Sequence, residues 1–442
     1  MKVESLFIHS QLANIIHSYL GKSTGKGSLA LWTHNLKHSE ILPYKSSYYN
    51  GTAAQIGAGV IAGELYALAA SRNYRAVGGT CASIGVAGGY AAGGGHSLLN
   101  GLYGMAADNV LEWELVTANG EHIVATPTNE HSDLYWAMSG GGAGVWGVVL
   151  SMTTRIFVDG QVGGARLRFG AASADQTDQY WEAIEAWHVW LDSYVEGGNT
   201  VEYEVLATSF EAIGFTVPNQ NADGVDKLLA PYLQVLDSLG LSYNYSSHTS
   251  PDYFHHFETD FGPLPYGRTP ATTLLSNRLI PRSVVEDAES RTAFIQAIQN
   301  LTAYQDGYFF LGCEGVRVNS TNHPDNAVLP AWRDTLGVCS VTGFWDWTIP
   351  RAEMMARKEH LAYEVVPSFE KVTPGSGSYL NEADSFYTGN WTKEFYGANY
   401  ARLSEVKAKY DPNHLFYAYT GVGSEFWESD ANGRLCRVCT EG

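Results

Sequence analysis

A cysteine and a histidine sit inside the densest glycine run of the chain, and their surroundings suggest what they do. From Gly78 the sequence reads GGTCASIGVAGGYAAGGGHSLLNGLYG, with Cys81, Gly85, Gly88, Gly89, Gly94 and His96 spaced through it. A run so rich in glycine is predicted to be irregular backbone lying against something, because without Cβ atoms its N–H groups can approach a phosphate or a planar ring. The tract is not the fingerprint of nicotinamide enzymes, which needs G-x-G-x-x-G between a strand and a helix, with an acid about twenty residues on. The segment IHSYLGKS around His17 falls one residue short of a phosphate-binding P-loop, since Ile16 stands where glycine is required and a turn and strand follow.

The elements that must position these residues can be read on both sides. Before the tract, AAQIGAGVIAGELYALAASRNYRAVGG predicts a strand, a helix from about Ile61 to Ser71 and a second strand. After it, NVLEWELVTANGEHIVATP alternates about Asn119-Gly120 and predicts a β-hairpin. HSDLYWAMSGGGAGVWGVVLSMTTRIFV follows as short helix, second glycine loop and apolar strand. From about Gly160 glycine thins, and long helices such as TDQYWEAIEAWHVWLDSYV and GVDKLLAPYLQVLDSLG alternate with strands such as TVEYEVLAT and YFFLGCEGVRV. The last segment predicts an aromatic loop and a helix of about fifteen residues ending before Pro412.

Composition bounds the function. The 442 residues carry 27 basic and 46 acidic side chains, a formal charge of −19 that repels phosphate backbones, so no nucleic-acid partner is expected. No apolar run reaches the length of a membrane span, so no membrane partner is expected either. Aromatic residues at 13% suit packed sheets around a small-molecule pocket. Five cysteines cannot all pair within the chain. Sequons at Asn50, Asn244, Asn300, Asn319 and Asn390 suit passage through the secretory pathway, although the first twenty residues lack the basic head, apolar stretch and cleavage site of a signal peptide.

Together the tract, the hairpin, SGGGAGVWGVV and the C-terminal YLNEADSF…FYGANYARLSEVKAKYDPNHLFYA resemble the berberine-bridge-enzyme-like branch of the vanillyl-alcohol-oxidase flavoproteins, especially its fungal members. The resemblance runs from about Leu12 to Trp427. It implies an α+β fold: a PCMH-type FAD-binding domain over residues 1–159, a substrate domain with an antiparallel sheet over 160–375, and a segment, 376–442, returning to the first domain. Family members carry a strand-helix-strand unit before the His loop, and here sixteen residues precede His17, so a missing front is expected. FAD is the implied cofactor, attached through His17 and Cys81 and contacted by Gly85, Gly88, Gly89, Gly94, His96, Asp108, Val148, Asn381 and Asn413. Tyr379 of the YLN motif is the implied base, a phenol of lowered pKa beside the ring. The implied activity is an oxidase passing a hydride from a hydrophobic or ring-bearing alcohol or secondary metabolite to flavin, with dioxygen as acceptor. A flavin-free cyclase or ligand-binding protein is the alternative.

Several residues have plainer readings. Asn413 also suits a turn cap in Asp411-Pro412-Asn413, and Glu382 and Asp384 suit solvated carboxylates. Cys313 and Cys339 either pair or stay buried. Cys436 and Cys439 suit a surface disulfide or free thiols, and no metal site is expected.

Overall fold

The computed structural model describes residues 8–9, 20–22, 29–267, 272–318, 323–431 and 433–438. Among these, two antiparallel sheets carry the architecture. The first contains β1 (Ser39–Lys45), β2 (Asn50–Gly57), β3 (Val110–Val116), β4 (His122–Ala125) and β5 (Val148–Arg155) in the order β1-β2-β5-β3-β4. Helix α1 (Ala62–Ala70) and helix α2 (Ser132–Met138) flank it. The predicted hairpin is β3–β4: the Gly120 N–H closes the turn by donating to the Thr117 carbonyl at 3.0 Å, and Gly120 takes a φ of +83°.

The second sheet has seven strands. These are β6 (Val162–Gly170), β7 (Thr200–Val205), β8 (Ser209–Pro218), β9 (Tyr243–Ser250), β10 (Thr273–Pro281), β11 (Phe310–Val316) and β12 (Thr335–Phe344), ordered β9-β6-β8-β7-β11-β12-β10. Strand alternation divides its faces. In β7, Val201, Tyr203 and Val205 are buried under helices, which turns Glu202 and Glu204 to the opposite face. The covering helices α3 (Thr177–Glu196), α4 (Ala222–Ser238) and α6 (Ala288–Thr302) supply apolar stripes at helical spacing, such as Ile184, Trp187 and Leu191. Helix α5 (Tyr253–Asp260) lies between α4 and α6 in sequence but packs on the first core, Tyr253 and Phe257 against Tyr66 of α1. Cys313 and Cys339, opposite one another on β11 and β12, form a disulfide.

Helix α7 (Arg351–His360) precedes the C-terminal segment, whose main helix α8 (Tyr400–Tyr410) returns to the first core through Leu403 and Val406. It has 11 residues rather than about fifteen, because Gly397 and a 3₁₀ turn separate it from a short helix at Trp391–Tyr396. Lys407 fixes the return: its buried Nζ donates to Asp411 Oδ2 at 2.6 Å, to the Val145 carbonyl of the second glycine loop at 2.6 Å and to the Phe416 carbonyl at 2.8 Å. Phe416–Tyr417 in turn pairs in parallel with Ile8–His9. Asn50, Asn244, Asn300 and Asn390 are all exposed, and Asn319 lies outside the described residues. No described helix is long and apolar enough to cross a membrane.

Candidate active site

The glycine tract is less irregular than its composition suggests. It folds as a π turn at Val86–Tyr90 and short helices at Asn100–Tyr103 and Ala106–Asn109, with extended or bent backbone between them. Backbone packing against side chains requires the glycine at position 93. A Cβ there would stand 2.4 Å from Asn381 Nδ2, which instead donates to the Gly89 carbonyl at 2.9 Å and to Tyr379 Oη at 2.7 Å. The C-terminal Tyr379-Leu380-Asn381 turn is thereby docked onto the tract, and the two together bound a cleft. Cys81, Gly85, Gly89, Tyr90 and His96 line one side, and Tyr379, Asn381 and Glu382 the other.

A second cavity of about 180 Å³ opens on the β7–β11–β12 face, lined by Glu202, Tyr203, Leu275, Glu314 and Ser340. Thr80, His96 and Glu382 line both spaces and so form the boundary between them. At that boundary His96 lies between two carboxylates, with Nδ1 2.8 Å from Glu314 Oε2 and Nε2 3.0 Å from Glu382 Oε1. Both ring nitrogens can donate only in the imidazolium. Burial by itself would depress the His96 pKa, but Glu314 and Glu382 outweigh it and hold the group well above its ordinary value. The Trp332 ring stacks near the imidazole at 6.0 Å, and Tyr379 meets it edge-on at 5.1 Å.

Glu202 and Glu314 are direct cross-strand partners on β7 and β11. Two like charges so placed repel, and burial followed by Glu314 pushes Glu202 up to about 8. At neutral pH His96 is therefore held charged and Glu202 protonated. Cys81 is unpaired, and burial followed by Glu202 and Glu382 pushes its thiol up to about 12.

The residues expected to bind the cofactor divide into three groups. Cys81, Gly85, Gly89, His96, Tyr379 and Asn381 meet at the cleft. Gly88 lies within the π turn, Gly94 follows with a φ of +111°, and Val148 is paired with Val116 at the start of β5. Asp108 and Asn413 lie elsewhere. Asp108 is engaged by Arg333 at 2.7 and 2.8 Å, by Asn326 Nδ2 at 2.7 Å and by the Met105 N–H at 2.8 Å, so every strong acceptor direction is taken by protein. Asn413 is exposed in a surface groove with the Thr117–Glu121 turn, in keeping with its reading as a turn residue. His17 lies outside the described residues.

Three expectations are corrected. The lowered pKa expected for Tyr379 is not found, because burial and then Glu382 raise its phenol above the ordinary value. Glu382 is no solvated carboxylate, being paired to His96 and 15% exposed. Asp384 is buried and bridged to Lys358 Nζ at 2.5 Å. Glu202 and Glu314 escaped the sequence reading, although acids among β-branched and apolar residues in TVEYEV and LGCEGV are the pattern left when a strand turns one face to a polar cavity. Because Asp108 ties the tract to the segment after β11, Asp108→Asn should lower unfolding stability by roughly 1.5–3 kcal/mol, the range for hydrogen bonds to a charged group, without changing the cleft's ligand affinity. Urea unfolding read beside ligand titration checks this.

A cleft lined in part by glycine and bearing a free thiol, set beside a cavity on an antiparallel sheet, suits a cofactor-dependent enzyme. The FAD binding domain family matches residues 14–126, and the berberine and berberine-like family matches residues 378–423. The chain is 48% identical to the bifunctional decalin synthase calF of Penicillium decumbens, over 97% of this chain and 74% of that protein. It is also 48% identical to the VAO-type flavoprotein oxidase VAO615 of Thermothelomyces thermophilus, over 97% of this chain and 74% of that one. The crystal structure of VAO-type flavoprotein MtVAO615 from Myceliophthora thermophila C1 superposes with a TM-score of 0.93 at 47% identity, covering 98% of this chain and 78% of that chain. The chain belongs to the fungal VAO-type, berberine-bridge-enzyme-like family of FAD-linked oxidoreductases.

FAD is its cofactor, and the cleft fits a flavin. Gly79, Gly85 and Gly89 line the cleft without side chains, and the free thiol of Cys81 stands among them, a surface suited to a planar heterocycle.

Proposed function

We propose that this protein is an oxidase that removes the elements of hydrogen from an alcohol-bearing, hydrophobic or ring-containing small molecule, with dioxygen as final acceptor. The observation that carries the reading is Glu382, the carboxylate lining both the cofactor cleft and the neighbouring cavity and held there by His96. Glu382 takes the proton of a substrate hydroxyl. His96, charged and fixed by the buried Glu314, orients Glu382 and compensates its charge. Glu202 remains protonated below about pH 8, so the cavity is not overloaded with negative charge. FAD, when bound, supplies the acceptor for the hydride that leaves the same substrate.

Cys81 is the residue placed to hold the cofactor covalently, with His17 as its second attachment. The test is to precipitate the yellow protein with acid. Colour should stay with the polypeptide and should pass to the supernatant from the double variant Cys81→Ala/His17→Ala. Peroxide release on a panel of aromatic and allylic alcohols then tests the oxidase reading, and a flavin-loaded protein that oxidises none of them while binding them tightly would count against it. The exposed sequons fit a route through the secretory pathway.

The relative calF, a bifunctional decalin synthase, favours a second reading, in which the same cavity serves a cyclase. Cyclisation leaves the oxidation state unchanged, so product formation without dioxygen uptake would favour it.

The Glu202 proton gives a pH signature. Its folded pKa, about 8, lies above that of an ordinary carboxyl group. Ionising it costs more in the folded chain, so its stabilising contribution is complete below the unfolded pKa and is lost as pH rises through about 8. Glu202→Gln cannot ionise, so the thermal midpoint of the variant relative to wild type should rise from pH 5 to about pH 8 and level off above it. A flat difference would mean that Glu202 is already ionised at neutral pH.

A further inference from the structure

Away from the cleft, three ligand-type atoms converge with no hydrogen-bond partner. They are Nε2 of His248 on β9, Nδ1 of His256 and Oδ2 of Asp260, the last two one turn apart on α5. Asp260 Oδ2 stands 3.1 Å from the His248 nitrogen and 3.3 Å from the His256 nitrogen, and all three atoms lie within 4.8 Å of one another. The side chains of His256 and Asp260 are fully buried and that of His248 is 32% exposed. None of the three residues lines the cofactor cleft or the cavity beside it.

We propose that His248, His256 and Asp260 form a binding site for one divalent transition-metal ion, zinc being the best match. Ligands about 2.0–2.1 Å from zinc in a tetrahedral site stand roughly 3.3 Å apart, the spacing seen here between the carboxylate oxygen and each imidazole nitrogen. Two imidazoles and a carboxylate are a common three-ligand set, and the partly exposed His248 leaves the fourth position to water.

The surroundings prepare each ligand. His256 Nε2 lies 2.9 Å from Thr216 Oγ1, a partner that can accept from Nε2–H when the Nδ1 lone pair is given to a metal. Arg166 Nε reaches Asp260 Oδ1 at 3.4 Å, steadying the carboxylate from the side away from the other ligands. Beneath them β6 carries Gly164, where a Cβ would come within 2.5 Å of His248 Nε2 and 2.9 Å of Asp260 Oδ2. Only glycine leaves the ligand atoms their space. The site joins β9 to α5, whose other face holds Tyr66 of α1, so a bound ion secures the seven-stranded sheet against the first core. Its role is structural.

The test uses the flavin-loaded protein, stripped with chelator, freed of it and given zinc sulfate, with bound zinc counted by mass spectrometry after gel filtration. Wild type should retain one equivalent and gain several degrees in thermal midpoint. His248→Ala and Asp260→Asn, each shown to be folded by flavin absorbance and circular dichroism, should retain at least tenfold less zinc and lose the gain. No retained zinc in wild type, or equal retention in folded His248→Ala, would overturn the site.

Discussion

Replacing Glu382 by Gln should lower turnover by about 10²- to 10⁴-fold, the usual contribution of a positioned general base, while flavin content and substrate affinity change little. Glutamine keeps the size of the side chain and a carbonyl oxygen that still accepts from His96 Nε2, now 3.0 Å from the carboxylate. What it loses is the capacity to take a proton. The effect should therefore fall on kcat rather than KM, and only weakly on stability. Tyr379→Phe is the control. The Tyr379 phenol is held protonated by burial and Glu382, so its loss should cost less than tenfold, mainly by freeing Asn381 Nδ2 from one partner. The two variants decide between the residues: a large loss in Tyr379→Phe with Glu382→Gln unaffected would return the base to the phenol.

That contrast marks what was legible in the chain. Asn119-Gly120 announced the β3–β4 hairpin because a tight turn that needs one residue at positive φ, here Gly120, leaves a local signature. The long amphipathic helices over the second sheet were equally plain. Cys81, Gly85, Gly89, His96, Tyr379 and Asn381 were all named in advance and meet at one cleft, since the tract and the Tyr379 turn each carry a local motif. Glu314 and Glu202 have no local motif. They become neighbours only when β7 pairs with β11, and their energetic meaning depends on a histidine more than a hundred residues away along the chain. Glu382 was named but read as solvated, because nothing in YLNEADSF shows that His96 closes over it. Asp108, which the resemblance places at the cofactor, is instead engaged by Arg333, a partner from the segment after β11 that no local motif shows. The same limit hid His256 and Asp260, one helical turn apart, until His248 joined them from β9.

His96→Gln should have the largest combined effect, because it removes the positive charge on which two carboxylates depend. Glu314 is 3% exposed, and with His96 gone its charge is buried without a counterion. Removing one member of such a pair costs about 3–5 kcal/mol. Turnover should fall at least as far as in Glu382→Gln, since Glu382 loses both its charge partner and its orientation. A simple packing defect would also destabilise, so the discriminating variant is His96→Gln/Glu314→Gln. If charge is the cause, neutralising Glu314 restores much of the lost stability while leaving turnover low. If packing is the cause, the second substitution adds further loss. The pH dependence gives a second check. The His96 pKa is raised in the folded protein, so its contribution is complete below the ordinary histidine value and is lost as pH rises through the raised one. Urea unfolding should therefore show the gap between wild type and His96→Gln widest in mildly acidic buffer and narrowing at alkaline pH. A gap that grows with pH would mean that His96 is neutral, and Glu382 would then have to hold its place in the boundary without an imidazolium beside it.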